Sequence, residues 1–304
     1  MASFTTQIKD EVTKIETSKL ESLAEVVSYI KYNASISNDN ITLFIDNASV
    51  ARRMFNLIKR LYNVNIHLII RTQKKFTMKT MYILEIKERV DYILEDVENT
   101  VLNILDYSDE ERASYIKGIF LACGSINDPA KSKYHLEFMI NDIKLAELCN
   151  DLLRTFNLSS KIHERDNGFM VYLKASEEIS DVIKVMGAIN ALFYYEDIRI
   201  YRDHKNMVNR LNNCEQANVE KSMKTCNEQL DNIEYLKNHD LLSLLDEKSN
   251  LIIIYRVKYP ETSMNELAEI ISLETDINIT KSGINHHFRK IKALVDRHKN
   301  RETE

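Results

Sequence analysis

Hydrophobic and polar positions along the first hundred residues follow two different periods. Residues 18–32 place an apolar side chain every three or four positions, which predicts an amphipathic helix. Residues 40–46 (NITLFID) switch to alternation, which predicts a half-buried strand. A second helix is predicted over residues 50–62, with Asn47 or Ser49 as its N-cap. Two further strands are predicted at 64–72 and 80–86, and the basic turn QKKF (73–76) joins them. A helix at 90–105 closes the set.

The same order of elements recurs after residue 110. The predicted helices and strands of this second half are 115–123, 133–140, 143–157, 160–166, 168–175 and 177–188. Two short stretches also match between the halves: IKRLYNV (58–64) lies over LLRTFNL (152–158), and YNASI (32–36) over ACGSI (122–126). Two αββαββα units, each about ninety residues long, therefore predict an α+β domain built by duplication.

The character of the sequence changes after about residue 190. Residues 199–238 are polar, keep a helical period and contain no Gly or Pro, which predicts a linker helix. The residues that follow predict a compact all-helical domain. The predicted organisation is an N-terminal helix, two repeats, the linker helix and the helical domain: 1–19, 20–106, 107–198, 199–238 and 239–304.

The C-terminal domain has the pattern of a helix-turn-helix. A helix that starts at Leu251 stops before Pro260, and Thr262 or Ser263 can cap the next one. Glu266 stands where it can complete a capping box with Ser263. A turn longer than the minimal one leads to the last helix. The apolar residues expected to face inward on these two helices are Leu267, Ile270, Ile271, Ile284, Phe288, Ile291 and Leu294.

The outward face of the last helix carries the candidate DNA-binding residues. Hydrogen-bonding and cationic side chains at this spacing suit the base edges and phosphates of a major groove. The candidates are Lys281, Ser282, Asn285, His286, Arg289, Lys290 and Lys292. The alternative is a helical bundle whose polar face is merely solvated. A metal site at His286 and His287 is not favoured, because no acid or thiol stands at ligand spacing.

The net charge of −5 hides a marked segregation of charge. Residues 52–79 contain eight Lys or Arg and no acid, whereas residues 85–112 contain ten acids and three bases. Residues 281–301 contain seven bases and a single acid. Segregation of this kind creates local positive surfaces on a mildly acidic protein.

The cysteines and the termini narrow the class of protein further. The four cysteines are far apart and form no CxxC pair, so neither a zinc site nor a disulfide framework is expected. The first residues contain acids and no apolar run, which argues against a signal peptide. No segment approaches the ~18 apolar residues of a membrane span. We expect a cytoplasmic protein with no cofactor, no bound metal and no membrane partner.

Residues 116–124 (IKGIFLACG) resemble the LAGLIDADG helix of homing endonucleases. In that family two such helices pack through small residues, and each ends in an Asp that holds catalytic divalent metal. Gly118 and Ala122 keep the small-residue spacing, but the acid position is Cys123 in the second repeat and Asn33 in the first. Neither side chain supplies the anionic oxygen that Mg²⁺ requires. The resemblance thus implies the fold of these nucleases without catalytic residues.

Essentially the whole chain is similar to the WhiA family, in which a two-repeat LAGLIDADG-like domain precedes a helix-turn-helix. The stretches that carry the similarity lie at 3–12, 118–129, 134–138, 171–181, 187–200, 208–218 and 281–291. They include SFTTQIKDEV, GIFLACGSINDP and KSGINHHFRKI. Ala34 departs from the family, which tends to have glycine there. The resemblance implies a non-enzymatic, sequence-specific DNA-binding regulator of transcription, linked to cell division, chromosome segregation or sporulation and associated with the nucleoid.

Lys and Arg outside the last helix are further candidates for contacts to DNA phosphates. The alternative, an ordinary solvated surface, is about equally frequent for exposed Lys and Arg. The candidates near the linker helix are Arg199, Arg202, Lys205 and Arg210, and those on the first repeat are Arg52, Arg53, Arg71, Lys74 and Lys75.

Two other functions stay open on the sequence alone. One is a metal-dependent nuclease whose ligands lie elsewhere, for instance at Glu137 or Asp142. The other is an interaction scaffold of the division machinery, in which the acidic segment 85–112 recruits a partner. The expected partners are double-stranded DNA and, beside it, a transcription co-regulator or a division protein.

Overall fold

The structure is a computed structural model, and it describes residues 2–37, 39–73 and 79–302. The chain divides into two compact units, one ending at Asp203 and the other beginning at His204. The first unit is built of sheets and helices and contains both repeats, whereas the second is all-helical. The five-part division drawn from the sequence is finer than this and stays a prediction.

The N-terminal helix and the first repeat come first in the chain. Their elements are α1 (Phe4–Val12), α2 (Lys19–Asn33), β1 (Ser35–Ser37), β2 (Asn40–Ile45), α3 (Ala48–Tyr62), β3 (Ile66–Gln73), β4 (Lys79–Ile86) and α4 (Val90–Asn103). The strands form an antiparallel sheet in the order β1-β2-β4-β3. Asn47 Oδ1 accepts a hydrogen bond from Val50 N at 3.0 Å and caps α3, as one of the two predicted caps. The predicted turn at 73–76 lies, beyond Gln73, outside the described residues.

The second repeat forms a second antiparallel sheet. Its elements are α5 (Asp109–Cys123), β5 (Gly124–Ile126), β6 (Leu136–Ile140), α6 (Ile143–Thr155), β7 (Lys161–Arg165), β8 (Gly168–Leu173) and α7 (Ser176–Val185). The strand order β5-β6-β8-β7 repeats that of the first sheet. This confirms the predicted α+β fold with two αββαββα repeats.

The alternating pattern of β6 places every second side chain in the core. Leu136, Phe138 and Ile140 are buried, and Glu137 between them is partly exposed. Phe138 pairs across the sheet with Val171, which is also buried, because directly paired residues share a face. The buried residues of both repeats form one continuous core.

Helices α2 and α5 cross at a point that only glycine permits. A Cβ on Gly118 would lie 1.8 Å from Ser28 Oγ and 2.4 Å from the backbone oxygen of Glu25. The small-residue position expected from the sequence therefore serves close helix approach. The turns of α5 from Tyr115 to Leu121 are buried, which explains their nearly continuous apolar run.

A buried ion cluster ties α2, α3 and α5 together. Glu25 on α2 accepts hydrogen bonds from Arg53 Nε at 2.9 Å and from Arg53 Nη2 at 2.8 Å. Its carboxylate also lies 2.9 Å from Lys117 Nζ on α5. Arg53 Nη1 donates in addition to the backbone oxygen of Ile15 at 2.7 Å. Arg53 is thus engaged inside the fold, and its contact with DNA phosphates stays a prediction.

Helix α8 (Ile189–Asn238) is one helix of 50 residues and begins earlier than the predicted linker helix at 199–238. Its first turns add Ala191 and Tyr195 to the core of the first unit. Its last turns add Ile233 and Leu236 to the core of the second unit. Its middle is the exposed polar helix that the sequence predicts. Neither α8 nor another helix among the described residues is long and apolar enough to cross a membrane.

The second unit continues with a short 3-10 helix and three α-helices. These are Leu241–Leu244, α9 (Glu247–Lys258), α10 (Met264–Glu274) and α11 (Lys281–Glu302). Helix α9 starts before the predicted Leu251, because Asp246 accepts a hydrogen bond from Ser249 N and caps it. Ser263 Oγ accepts from Glu266 N at 3.2 Å, and Glu266 Oε2 accepts from Ser263 N at 2.8 Å. The predicted capping box is thus confirmed.

Candidate nucleic-acid interface

Helix α11 packs on the second unit through one apolar row. Ile284, Phe288, Ile291 and Val295 are buried in the core of that unit. Leu294, which was predicted to face inward, is partly buried and packs against this core. Val295 lies four residues beyond Ile291 and continues the fully buried row. The opposite face of α11 is left at the surface.

Most of the residues predicted to bind DNA from α11 are exposed. Asn285 differs from the others, because it is half-buried and lines a pocket. The exposed residues are Lys281, Ser282, His286, Arg289, Lys290 and Lys292. A guanidinium, several ammonium groups and hydrogen-bonding side chains thus share one accessible helix surface, which suits phosphates and base edges. Their contact with DNA stays a prediction.

Side-chain hydrogen bonds fix the turn that leads into α11. Ser272 Oγ on α10 accepts from Ile279 N at 3.2 Å and donates to Ile279 O at 3.4 Å. Thr280 Oγ1 accepts from Gly283 N at 3.3 Å and caps the first turn of α11. The longer turn is therefore held against α10 and sets the position at which α11 begins.

His287 lies on the flank of α11 rather than on its outward face. Its Nδ1 lies 2.8 Å from Ser249 Oγ and 3.8 Å from an Asp246 carboxylate oxygen. Burial lowers the pKa of His287, so the ring is neutral at neutral pH. Lys290 Nζ lies 3.6 Å from the same carboxylate, in an exposed pair of small energetic weight.

Two of the predicted phosphate contacts near the start of α8 already have partners in the first unit. Arg199 Nη2 lies 2.7 Å from Glu196 Oε2, and Arg199 Nη1 lies 3.2 Å from Glu177 Oε1. Arg202 Nη1 donates to the backbone oxygen of Ser132 at 2.9 Å. The carboxylates neutralise much of the charge that Arg199 would offer to a phosphate. The two side chains are held in place by the fold.

The other predicted phosphate contacts are at the surface or outside the described residues. Lys205 and Arg210 are exposed on α8, and Arg52 and Arg71 are exposed on the first repeat. Lys74 and Lys75 fall outside the described residues. For the four exposed side chains a phosphate contact is sterically open and stays a prediction.

The two positions that hold acids in homing endonucleases offer no anion here. Asn33 is the last residue of α2, and Cys123 is the last residue of α5. Cys123 Sγ donates to Ile119 O at 3.4 Å, and burial raises the pKa of the thiol to about 12. The side chain is therefore a neutral thiol at neutral pH. Asn33 Oδ1 is buried and finds no hydrogen-bond partner within the described part of the chain.

A lysine from α1 that was not among the predicted site residues lies beside these helix ends. Lys9 Nζ donates to Leu121 O in the last turn of α5 at 3.0 Å. A cation at a helix C-terminus stabilises the unpaired carbonyl groups there. Burial lowers the pKa of Lys9, while the charge of Asp46 acts in the opposite direction. The one sequence signal was that Lys9 lies in the stretch 3–12 that resembles the WhiA family.

The alternative metal ligands are engaged in contacts within the fold. Glu137 Oε2 lies 3.0 Å from His135 Nε2. Asp142 Oδ1 accepts a hydrogen bond from Lys144 N at 2.7 Å and caps α6. No group of three or more His, Cys, Asp or Glu side chains in the described part of the chain could hold a metal ion.

Three protein-family models match successive segments of the chain. The WhiA N-terminal LAGLIDADG-like domain matches residues 19–98, and the WhiA LAGLIDADG-like domain matches residues 112–205. The WhiA C-terminal HTH domain matches residues 208–295, so its match begins within α8.

Curated relatives align over nearly the whole chain. The "Probable cell division protein WhiA" of Lysinibacillus sphaericus is 36% identical over 307 residues, which cover 97% of this chain and 96% of the relative. The protein of the same name from Oceanobacillus iheyensis is 36% identical over 314 residues, which cover 99% of each chain. The Staphylococcus aureus protein is 35% identical over 312 residues, which cover 99% of this chain and 98% of that one.

Solved structures agree with the fold. Full-length DUF199/WhiA from Thermatoga maritima matches with a TM-score of 0.59 and 24% identity, over 97% of this chain and 99% of that chain. The N-terminal LAGLIDADG domain of DUF199/WhiA matches with a TM-score of 0.53 and 20% identity, over 62% of this chain and 91% of that chain. At these identities the likeness shows the fold alone. Together with the curated relatives and the family models, it confirms the resemblance found in the sequence: the chain belongs to the WhiA family.

Proposed function

We propose that this protein is a non-enzymatic, sequence-specific DNA-binding regulator of transcription. The exposed cationic face of α11 carries the proposal. In helix-turn-helix proteins the second helix of the motif lies in the major groove, with its N-terminal residues on the base edges. Here Ser282 and His286 would lie near base edges, and Arg289 could pair with guanine through two hydrogen bonds.

The charge of α11 favours approach to a phosphate backbone. Residues 281–295 contain four Lys or Arg and no acid. Each Lys or Arg that contacts a phosphate releases condensed counterions, so affinity for DNA falls steeply as salt rises. Lys281, Lys290 and Lys292 are the expected backbone contacts on α11. The exposed Lys205 and Arg210 on α8 are secondary candidates.

The cellular role is inferred from relatives. Proteins that are 35–36% identical to this chain carry the name probable cell division protein WhiA. We extend that role to this protein, in the form of DNA-directed regulation of cell division, chromosome segregation or sporulation. Such a role places the protein in the cytoplasm at the nucleoid, beside a transcription co-regulator or a division protein.

We assign no catalytic activity to the LAGLIDADG-like domain. Cys123 is a neutral thiol and Asn33 is an amide, so neither replaces the carboxylate that divalent metal requires. The ammonium of Lys9 also disfavours a second cation near the end of α5. A duplex incubated with the protein and Mg²⁺ is expected to stay intact. Nicking that depends on Mg²⁺ would overturn this part of the proposal.

DNA binding is tested by fluorescence anisotropy with the full-length protein and a labelled duplex across a salt series. Arg289→Ala is expected to weaken binding by about 1–3 kcal/mol and to relax sequence preference. Lys292→Ala is expected to weaken binding uniformly and to lower the salt slope by about one unit.

The matched control removes an exposed charge elsewhere in the same unit. Lys237→Ala near the end of α8 is expected to leave affinity and salt slope unchanged. If Arg289→Ala and Lys292→Ala bind as tightly as the parent protein, α11 is not the DNA-binding element. If the parent protein itself shows no salt-dependent binding to any duplex, the DNA-binding proposal fails.

A further inference from the structure

A polar pocket of about 330 Å³ lies inside the second unit, next to the start of α11. Residues from α8, α9, α10 and α11 surround it. Among the described residues that line it there are two lysines, one arginine and four side-chain amides, and none is Asp or Glu. Its size is at the lower end of the range for small-molecule sites. The lining is therefore cationic and rich in hydrogen-bond donors.

Arg256 is the buried charge of this pocket. The residue is 2% exposed, and its Nη1 donates to the backbone oxygen of Thr262 at 2.7 Å. Its Nε is buried and has no hydrogen-bond partner among the described residues, and its described contacts include no carboxylate. Burial lowers the pKa of Arg256, which records the cost of holding this charge away from water. An anion in the pocket would offset that cost.

Gln229 is a second buried polar side chain without a partner. It is 6% exposed and lines the pocket from α8, and its Oε1 has no hydrogen bond within the described residues. A buried carbonyl oxygen in this state costs about 1–3 kcal/mol. A ligand that carries both acceptor oxygens and a hydroxyl donor, such as a monohydrogen phosphate, can satisfy Gln229 and Arg256 together.

Two helix starts and two lysines complete the surroundings. Met264 and Asn265, the first residues of α10, line the pocket, and α11 begins at Lys281 on the same pocket. The first backbone N–H groups of a helix lack partners within the helix and favour an anion. Lys221 on α8 and Lys281 are exposed and can reach the ligand from the rim.

We propose that this pocket is a phosphate-binding site, formed by Arg256, Gln229, Lys221, Lys281 and the start of α10. Lys281 and Asn285 link it to α11, so its occupancy affects the helix proposed to bind DNA. The phosphate group comes either from a small phosphate ester or from the DNA backbone. Both sources present acceptor oxygens to Arg256 and the two lysines, but only a phosphate monoester in its monohydrogen form also carries a hydroxyl that can donate to Gln229. The site shares Lys281 with the proposed DNA-binding face, but its buried residues, Arg256 and Gln229, lie outside α11, so phosphate binding does not require that the protein binds DNA.

The test is isothermal titration of the full-length protein with inorganic phosphate at constant ionic strength, with chloride as the matched salt. Saturable binding is expected for the parent protein. Lys221→Ala and Gln229→Leu are expected to weaken it roughly tenfold or more, since each removes a hydrogen bond to the anion. Lys224→Ala is the matched control, because Lys224 is exposed one turn from Lys221 on α8 and does not line the pocket.

Circular dichroism of each variant checks that the fold is intact. Lys221 is exposed, so its substitution keeps the test valid even if Gln229→Leu were to unfold. Absence of saturable phosphate binding by the parent protein, or equal binding by Lys221→Ala and Lys224→Ala, overturns the proposal.

A second titration distinguishes the two sources of the phosphate. The protein is first saturated with duplex DNA and then titrated with inorganic phosphate. Unchanged phosphate affinity assigns the site to a small phosphate ester, whereas competition assigns it to the DNA backbone. If phosphate binds but no duplex does, the site stands and the proposed DNA-binding function alone fails.

Discussion

The two units of the chain treat buried charge in opposite ways. In the first unit the buried carboxylate of Glu25 meets Arg53 and Lys117 at distances of 2.8 and 2.9 Å. In the second unit the buried guanidinium of Arg256 meets the backbone oxygen of Thr262 and, at 3.9 Å, the sulfur of Cys226. The cations of the closed cluster (Glu25, Arg53 and Lys117) thus find their opposite charge within the fold. In the open cluster (Arg256, Thr262 and Cys226), Arg256 Nε keeps a donor that no described residue accepts.

The contrast separates charges that hold the fold from charges that can serve a ligand. Arg53 and Arg256 are both arginines on helices, and only Arg53 was a candidate for a phosphate contact on the sequence alone. The structure reverses their availability, because Arg53 is committed to Glu25 whereas Arg256 has no carboxylate partner in the described part of the chain. Whether a buried charged side chain holds the fold or can serve a ligand depends on the opposite charge beside it and not on its residue type.

The largest expected effect comes from removing the carboxylate of the closed cluster. Glu25→Gln leaves Arg53 and Lys117 facing each other without a counter-charge. Breaking a buried ion pair in this way costs about 3–5 kcal/mol, so the first unit is expected to lose that much unfolding free energy. Hydrogen exchange read by mass spectrometry measures each unit separately. Glu98→Gln, exposed on α4, should change protection of the first unit by no more than about 0.5 kcal/mol.

The next effect concerns the helix crossing that brings Lys117 to Glu25. Gly118→Ala places a methyl group 2.4 Å from the Glu25 backbone oxygen and forces α2 and α5 apart. Overpacking of this kind costs about 1–3 kcal/mol, and the separation also weakens the ion pair. Urea unfolding followed by far-ultraviolet circular dichroism measures the loss.

Gly283→Ala on α11 is the control for this substitution. A Cβ at Gly283 would meet the flexible Ile279 side chain at 3.1 Å rather than backbone. Since Ala favours a helix over Gly by about 0.5–1 kcal/mol, the change in stability should stay within about 1 kcal/mol. A similar cost for both substitutions would contradict the close crossing at Gly118.

The open cluster is expected to respond less. Arg256→Met removes a buried charge for which the described part of the chain supplies no carboxylate partner, and it fills the same space with apolar atoms. Replacing buried charge by packed hydrophobic groups is often neutral, so the second unit should change by no more than about 1 kcal/mol in phosphate-free buffer. Hydrogen exchange in α9 and α10 reports the outcome. A loss of several kcal/mol would mean that Arg256 holds the fold as Arg53 does.

The smallest expected effect is a pH dependence of the second unit. Burial lowers the pKa of His287, so the unfolded chain binds more protons than the fold near its ordinary value of about 6.5. The contribution of His287 to the unfolding free energy is therefore fully present above about pH 6.5 and is lost as the pH falls below that value. Urea titrations at about pH 7.5 and about pH 5.5 measure the difference.

Substitution of either neighbouring histidine sharpens this test. His287→Gln should remove most of the pH dependence, because the partly buried titrating ring is gone. His286→Gln should keep it, because His286 is exposed on the outward face of α11. Equal dependence in both variants would assign the effect to another group.

Local sequence signals predicted the elements and several of their ends. The capping box of Ser263 and Glu266 was predicted, and Asn47 was one of two predicted caps of α3, because such bonds join residues three apart. The helices and strands were predicted because the period of hydrophobic residues marks the face that each element buries, and the two repeats were predicted because the same order of elements recurs. Val295 is fully buried although only its neighbour Leu294 was predicted to face inward, since the period alone does not separate two adjacent apolar residues.

Partners that are distant in the chain could not be predicted in this way. Lys9 reaches the end of α5 across 112 residues, and Arg53 reaches Glu25 across 28 residues. The pocket at Arg256 likewise joins residues of four helices. No local pattern marks these positions, because their contacts depend on how separate elements pack.

The sequence by itself determined the duplicated α+β fold, the helix-turn-helix, the family and the loss of metal-binding acids at Asn33 and Cys123. These follow from residue identity and from periods that extend over a few turns. The tertiary structure alone decided which cations are available, since Arg53 is neutralised by Glu25 whereas Arg256 is buried and meets no carboxylate among the described residues. The physical reason is that the free energy of a charge is set by its solvent and its neighbours, and folding supplies both.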